Sequence, residues 1–328
     1  RAGQCRPRTR ACPRGRAPRS SIMRASPATP DDSVTFQPLR ALGACLAVSL
    51  CFAAPAAHAA NKEADRAMTT VPARKNGYWY YTRYETGSEY PIYARKKGTL
   101  DAPEEILANA NELAKGHDFY QIGGLEISPD NRLMAIAEDT VGRRQYVLRV
   151  KDLATGQWLP DRVENVEPDL AWANDNRTLL YVDKDPVTLL SKRVKKHVLG
   201  RPAEKNEVVY EEPDDSFYMG VAKSKTDRYI YIVVQSTVSS EYRYADANDP
   251  ELEFRVAIPR ERDHEYQLEE VGDRFVMRTN WQAKNFRIVE VPIAEVADRA
   301  KWRDVVPHRE DTFVAGFDTF RDYLAVSE

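Results

Sequence analysis

A short turn recurs along this chain at near-equal intervals. Asn131-Arg132, Asn176-Arg177, Asp227-Arg228 and Asp273-Arg274 each precede an alternating apolar run, and their arginines are 45, 51 and 46 residues apart. The runs cover residues 133–137, 178–182, 229–233 and 275–278, and a variant, Arg321-Asp322 before Tyr323-Leu324-Ala325-Val326, follows about one period later. A period in the forties holding several strands marks β-propeller blades rather than helical repeats. Tyr78–Tyr84 and Tyr90–Ala94, with Gly87 between them, read as part of an earlier unit. The reading is therefore all-β: about five blades or parts of blades, from residue 75 to residue 328. Leu100–Leu113 is the most helix-compatible segment of this body, and Ile293–Lys301 is a second short candidate.

The stretch Gly123–Gly156 displays the unit most fully. Leu125 and Ile127 form one short run; Leu133, Ala135 and Ala137 form the next. Ser128-Pro129-Asp130-Asn131 separates them, with Pro and Asx chemistry suited to a tight reversal. Tyr146, Leu148 and Val150 make a third run, closed by Asp152-Leu153-Ala154-Thr155-Gly156. This is an antiparallel meander, the building unit of a blade. Its second connection is unusually charged: Glu138 and Asp139, then Gly142, Arg143 and Arg144. Taken alone, such a loop reads as a solvated turn whose charges pair among themselves.

Charge and cysteine placement exclude several functions. The whole chain has a formal charge of −2, but residues 1–59 carry nine arginines against Asp31 and Asp32. The rest is left with 39 basic and 48 acidic residues, a net of −9. An acidic body lacks the basic footprint that nucleic acid requires, and it suits cationic peptides. Cys5, Cys12, Cys45 and Cys51 all precede the body, which therefore has no thiol nucleophile and no thiolate metal site. The five histidines are scattered without metal spacing and read as surface or turn residues. No metal or other cofactor is expected.

The first residues read as an address. Residues 1–22 are rich in Arg and Pro, are expected to be disordered, and are compatible with translated upstream sequence. Residues 23–59 resemble a signal peptide: Met23, Arg24 and Arg40, an apolar run from Ala41 to Ala54, and Ala57-His58-Ala59 as a cleavage site before Ala60. The run is too short for a stable membrane span. Export to a periplasm or beyond is expected, with residues 60–74 as a linker. If the leader is not part of the protein, the body stays in the cytoplasm.

Catalytic motifs are missing. The glycines of a G-x-S-x-G elbow permit the sharp strand-to-helix turn that exposes a nucleophilic serine, and no such pattern occurs here. Neither does a phosphate loop or a dinucleotide fingerprint. The residues alone leave two readings: part of an enzyme, or a free-standing propeller that binds a partner without chemistry.

SPDNRLMA at 128–135 followed by EDTVGRRQY at 138–146 resembles the oligopeptidase B branch of the prolyl oligopeptidase family. The likeness starts at KNGYWYYTRYETGSEYPIY (75–93). It continues in NVEPDLAWANDN (165–176), DPVTLL (185–190), VVYEEPDDSFY (208–218), PRERDHEYQLEE (259–270) and KNF (284–286). The resemblance implies a seven-bladed propeller, incomplete in this chain, stacked on an α/β-hydrolase domain. That domain holds a Ser-Asp-His triad and the carboxylates that select Arg or Lys in short peptides. The implied partners are thus the hydrolase domain and short basic peptides; the chain alone is expected to be inactive, and as a fragment to fold as an open arc prone to aggregate. The resemblance also assigns roles within the charged loop. Glu138 would form an inter-domain ion pair that holds the closed state, and Arg144 would sit near the peptide, with Asp139 and Arg143 as lesser candidates.

Overall fold

The computed structural model describes residues 69–328 and the backbone of a short strand at 20–24. Five four-stranded antiparallel blades follow one another. Blade one is β2 (Ala73–Lys75), β3 (Tyr78–Arg83), β4 (Ile92–Lys97) and β5 (Glu104–Asn109). Blade two is β6 (Gln121–Ile127), β7 (Leu133–Asp139), β8 (Tyr146–Asp152) and the first half of β9 (Trp158–Trp172). The second half of β9 opens blade three, with β10 (Thr178–Lys184), β11 (Ser191–Val198) and β12 (Glu207–Glu211). Blade four is β13 (Tyr218–Lys223), β14 (Tyr229–Gln235), β15 (Ser240–Asp246) and β16 (Arg255–Ile258). Blade five is β17 (Tyr266–Val271), β18 (Arg274–Thr279), β19 (Arg287–Pro292) and β20 (Arg303–Val306). A sixth unit contains β21 (Gly316–Thr319) and β22 (Tyr323–Ser327), and β1 (Ser20–Arg24) pairs antiparallel with β22.

The core lies between blades. Met134 and Ile136 of β7 pack on Leu107 and Ala108 of blade one, whereas Ala135 and Ala137 pack on Leu179 and Tyr181 of blade three. In β14, Ile230, Ile232 and Val234 face blade three while Tyr229, Tyr231 and Val233 face blade five. The second strands β7, β10, β14 and β18 are thus buried on both faces, because blades two to five are sandwiched by their neighbours, whereas β3 of blade one is only half-buried.

The recurring Asn/Asp-Arg signature is the turn between the first two strands of a blade. Asn131, Asn176 and Asp227 have φ values of 63°, 59° and 59°, a left-handed conformation that Asn and Asp tolerate. Carboxylate or hydroxyl groups brace the turn: Asp130 accepts the Arg132 amide, Asp175 the Arg177 amide and Ser224 the Arg228 amide. The carbonyls of Arg132, Arg177 and Arg228 then accept the amides of Leu153, Leu199 and Ala247, at the turn after the third strand. The signature repeats because the same tie recurs in blades two, three and four; in blade five it is shifted by one residue, with Gly272 at φ 67° and the Asp273 carbonyl accepting the Ile293 amide. Gly124 serves a different need: an added Cβ would lie 1.8 Å from the Pro168 carbonyl oxygen, so only glycine lets β6 approach β9 this closely.

Several expectations need correction. Helix-compatible 100–113 is half strand: β5 ends at Asn109, and the helix is the single turn Ala110–Leu113, capped by Asn109. Pairing with β4, together with Glu104–Arg83 and Glu105–Arg95 ion pairs, overrides local propensity. The second candidate is two short 3-10 turns, Ile293–Glu295 and Arg299–Lys301. The first blade reaches into the expected linker, since β2 starts at Ala73 and Thr69 bridges Arg83. Residues 20–22, expected to be disordered, pair with β22, whose free edge has unmatched amides and carbonyls to satisfy. The rest of the leader, the signal-like segment beyond Arg24 and linker residues 60–68 lie outside the described residues. His197 and His264 are buried at 1% and 2% exposure, not surface residues; His197 binds Asp161 and Asn206, and His264 contacts Thr279.

Candidate functional site

Strand direction alternates within each blade, so the connections fall on two faces. One face holds the Asn/Asp turns and the connections from third to fourth strands. It is polar and laced from blade to blade. Asn131 Nδ2 donates to the Asn76 carbonyl at 3.3 Å, the Asp130 amide to Asn176 Oδ1 at 2.8 Å, Asn174 Nδ2 to the Asp227 carbonyl at 3.1 Å, and Arg228 Nη1 to the Gly272 carbonyl at 2.8 Å. The opposite face holds the connections from second to third strands and those between blades. Among the described residues, twelve large hydrophobic side chains are exposed. Eight lie at this second face or at strand ends meeting it: Val71, Tyr84, Phe119, Val141, Val187, Tyr218, Val238 and Phe313. Only Leu100 lies among the turns of the first face; Ile106, Val208 and Val256 are on outermost strands.

The charged loop 138–146 stands on the apolar face. Its charges do not pair among themselves. Glu138 is buried at 6% exposure; Tyr120 Oη donates to it at 2.8 Å and Arg149 Nη1 at 2.9 Å. Burial, with the neighbouring Glu138 carboxylate, pushes the Tyr120 phenol well up. Glu138 is therefore committed within its own blade rather than presented to solvent.

Asp139, at 1% exposure, organises the loop. Its Oδ1 accepts the amides of Val141 at 2.8 Å and Gly142 at 3.0 Å, and its Oδ2 accepts the Arg144 amide at 2.7 Å. Arg144 is consequently held at φ 55°, a strained value for a non-glycine residue. The Arg144 carbonyl is also fixed: Lys184 Nζ of blade three donates to it at 2.9 Å. Lys184 in turn pairs with Glu167 at 3.2 Å, and Ser191 Oγ lies 3.1 Å from the same carboxylate oxygen. Phe119 backs the loop, its ring lying where a Cβ on Gly142 would make contact at 3.4 Å.

Arg143 and Arg144 themselves are exposed. Two cations thus stand on a rigid loop beside the exposed apolar Phe119 and Val141. The four residues singled out by sequence divide into two that build the loop, Glu138 and Asp139, and two that it presents. The supporting Lys184–Glu167 pair and Phe119 were not legible in sequence: Lys184 reads as one more charge at a strand end, and its contact with Arg144 crosses between blades. Among the described residues no cluster of His, Cys, Asp or Glu could hold a metal, and none of their helices is long and apolar enough to cross a membrane.

Comparison with known proteins agrees with this architecture. Residues 57–328 match the family model for the prolyl oligopeptidase N-terminal β-propeller domain. The chain is 51% identical over 275 residues to dipeptidyl aminopeptidase BI of Pseudoxanthomonas mexicana, covering 79% of this chain and 38% of that protein. It is 29% identical over 268 residues to protease 2 of Moraxella lacunata, covering 78% of this chain and 38% of the relative. The solved structure of oligopeptidase B from Leishmania major superposes with a TM-score of 0.74 at 26% identity, over 79% of this chain and 37% of that one. The chain thus spans less than two fifths of the length of these relatives. A propeller of this blade pattern, matched over most of its length, belongs to the prolyl oligopeptidase family through its N-terminal β-propeller domain.

Proposed function

We propose that this propeller gates the active site of an oligopeptidase B-like serine peptidase, its apolar face docking against an α/β-hydrolase domain that carries the triad. The asymmetry of the two faces is the observation that supports this reading most. A face with eight exposed large hydrophobic residues around a pinned cationic loop suits a domain partner with acidic groups. Arg144, and secondarily Arg143, would meet a carboxylate of the partner domain or of the bound peptide when the domains close. Glu138 and Asp139 would hold the loop in that pose, a positioning role instead of the direct inter-domain ion pair.

Two specificities compete. The resemblance favours cleavage of short peptides after Arg or Lys. The 51% identity to a protein named dipeptidyl aminopeptidase favours release of dipeptides from N-termini. The test joins this propeller to an α/β-hydrolase domain of the family. Steady-state kinetics with dipeptidyl amides and with internally cleaved Arg and Lys peptides separate the two specificities. Arg144→Ala should lower kcat/KM for either class by about 10-fold, the loss expected when roughly 1.4 kcal/mol of closure energy disappears. Unchanged kcat/KM would sink the gating role.

A further inference from the structure

The inner strands β2, β6, β9 and β13 converge on a cavity of about 510 Å³, a size suited to a small organic ligand. Two lysines on its wall share one carboxylate. Asp227 Oδ1 lies 3.5 Å from Lys75 Nζ and 3.8 Å from Lys223 Nζ. Lys223 Nζ also donates to Asn174 Oδ1 at 2.6 Å. The Lys75 and Lys223 side chains are 19% and 11% exposed;. The remaining charged residues on the wall are Glu126, Asp169 and Lys225, and Lys225 is bound to Asp318 and the Thr319 carbonyl.

We propose that Lys223 is an imine-forming lysine for small carbonyl compounds bearing a carboxylate or phosphate, with Lys75 pairing with that anion. A desolvated amine beside a second cation is the arrangement that makes lysine a nucleophile near neutral pH. Burial pushes Lys223 down to about 8; Asp227 pulls against this, Lys75 adds to it, and Glu126 and Asp175 act more weakly in the direction of Asp227. In the reaction the neutral Nζ lone pair adds to the carbonyl carbon, and the C=O π bond breaks to give a carbinolamine. The hydroxyl and the remaining nitrogen proton then leave as water, forming C=N. No oxidant or reductant is needed for the imine itself. An anionic group on the ligand would compete with Asp227 for Lys75, which ties binding to the same three side chains. This inference is independent of peptidase activity.

Glyoxylate with cyanoborohydride, which reduces the imine to a stable secondary amine, provides the probe. The full chain is treated from pH 6 to 10, digested, and each lysine's modification rate read by mass spectrometry. Lys223 should react about 10- to 100-fold faster at pH 7.5 than exposed Lys115, with its rate levelling off above about pH 8; unfolding in urea should erase the difference. Lys75→Met should slow Lys223 several-fold, and Asp227→Asn should speed it. Should either variant fail to fold, the wild-type pH profile decides. A Lys223 rate no greater than that of Lys115, or one rising in parallel with it to pH 10, would overturn the proposal.

Discussion

Replacing Asp139 by alanine should loosen one loop and leave the blade standing. Its carboxylate accepts three backbone amides, from Val141, Gly142 and Arg144, at 2.7–3.0 Å. A hydrogen bond to a charged acceptor contributes about 1.5–3 kcal/mol. The three are not additive, because losing the carboxylate frees the whole loop at once. Val141 and Gly142 are exposed, so their amides can bind water instead. Arg144 can also leave its left-handed conformation, which returns about 1 kcal/mol. The expected net loss is about 2–3 kcal/mol. Amide hydrogen exchange reads it directly: the amides of 141, 142 and 144 should lose protection in the variant, while Ala135 and Leu148 in the blade core keep theirs. Asp139→Asn retains one acceptor oxygen and should fall between. Unchanged exchange at 144 would refute the claim that Asp139 sets the loop.

Four further outcomes are expected. Arg144→Gly should raise Tm by roughly 1–3 °C relative to Arg144→Ala, since glycine accepts φ 55° without strain; equal melting temperatures would remove strain from the account. Gly124→Ala should cost more than about 3 kcal/mol or abolish soluble expression, because its Cβ meets the Pro168 carbonyl at 1.8 Å; a wild-type melt would contradict this close approach. Burial raises Glu269 to about 7, so below its unfolded value near 4.5 it costs nothing, and stability is lost as pH rises through 7; Glu269→Gln should therefore stabilise the chain at pH 8 by about 1–3 kcal/mol in urea titrations, with little effect at pH 4. His264 has the opposite sign: burial, reinforced by Arg299, lowers it to about 4, so its contribution is present above pH 6.5 and fades as pH falls through 4; His264→Gln should flatten the acid side of a Tm–pH profile.

The repeat was readable because each blade needs one tight turn between its first two strands. That turn demands a residue tolerant of positive φ, hence Asn131, Asn176 and Asp227 at nearly constant spacing. What alternation concealed was the second buried face. Met134 and Ile136 fall between the positions that mark the core side of β7, yet both are fully buried. A blade packs on both sides, and period-2 patterning reports only one of them. The strand β5 was hidden for a related reason. Glu104 and Glu105 look helical in isolation, and pairing with β4, with ion pairs to Arg83 and Arg95 on other strands, makes them strand residues.

The candidate site was half legible. Charge density in a blade loop drew attention to Glu138, Asp139, Arg143 and Arg144, but local sequence does not say which of them turn inward. Tyr120 and Arg149 take Glu138 into the blade, and both approach through pairing across strands. The face asymmetry was invisible until strand direction fixed which connections share a side; Phe119, Val141, Val187 and Val238 are isolated apolar residues in four separate loops.

Hydrogen exchange tests the central claim most directly, comparing this chain alone with a longer protein in which it is joined to an α/β-hydrolase domain of the family. If the apolar face docks the catalytic domain, amides in 140–145, 185–190 and 236–239 should gain protection in the longer protein, while the turns at 130–132, 175–177 and 226–228 stay as they are. Protection gained at those turns, with the 140–145 loop unchanged, would place the partner on the polar face and contradict the account.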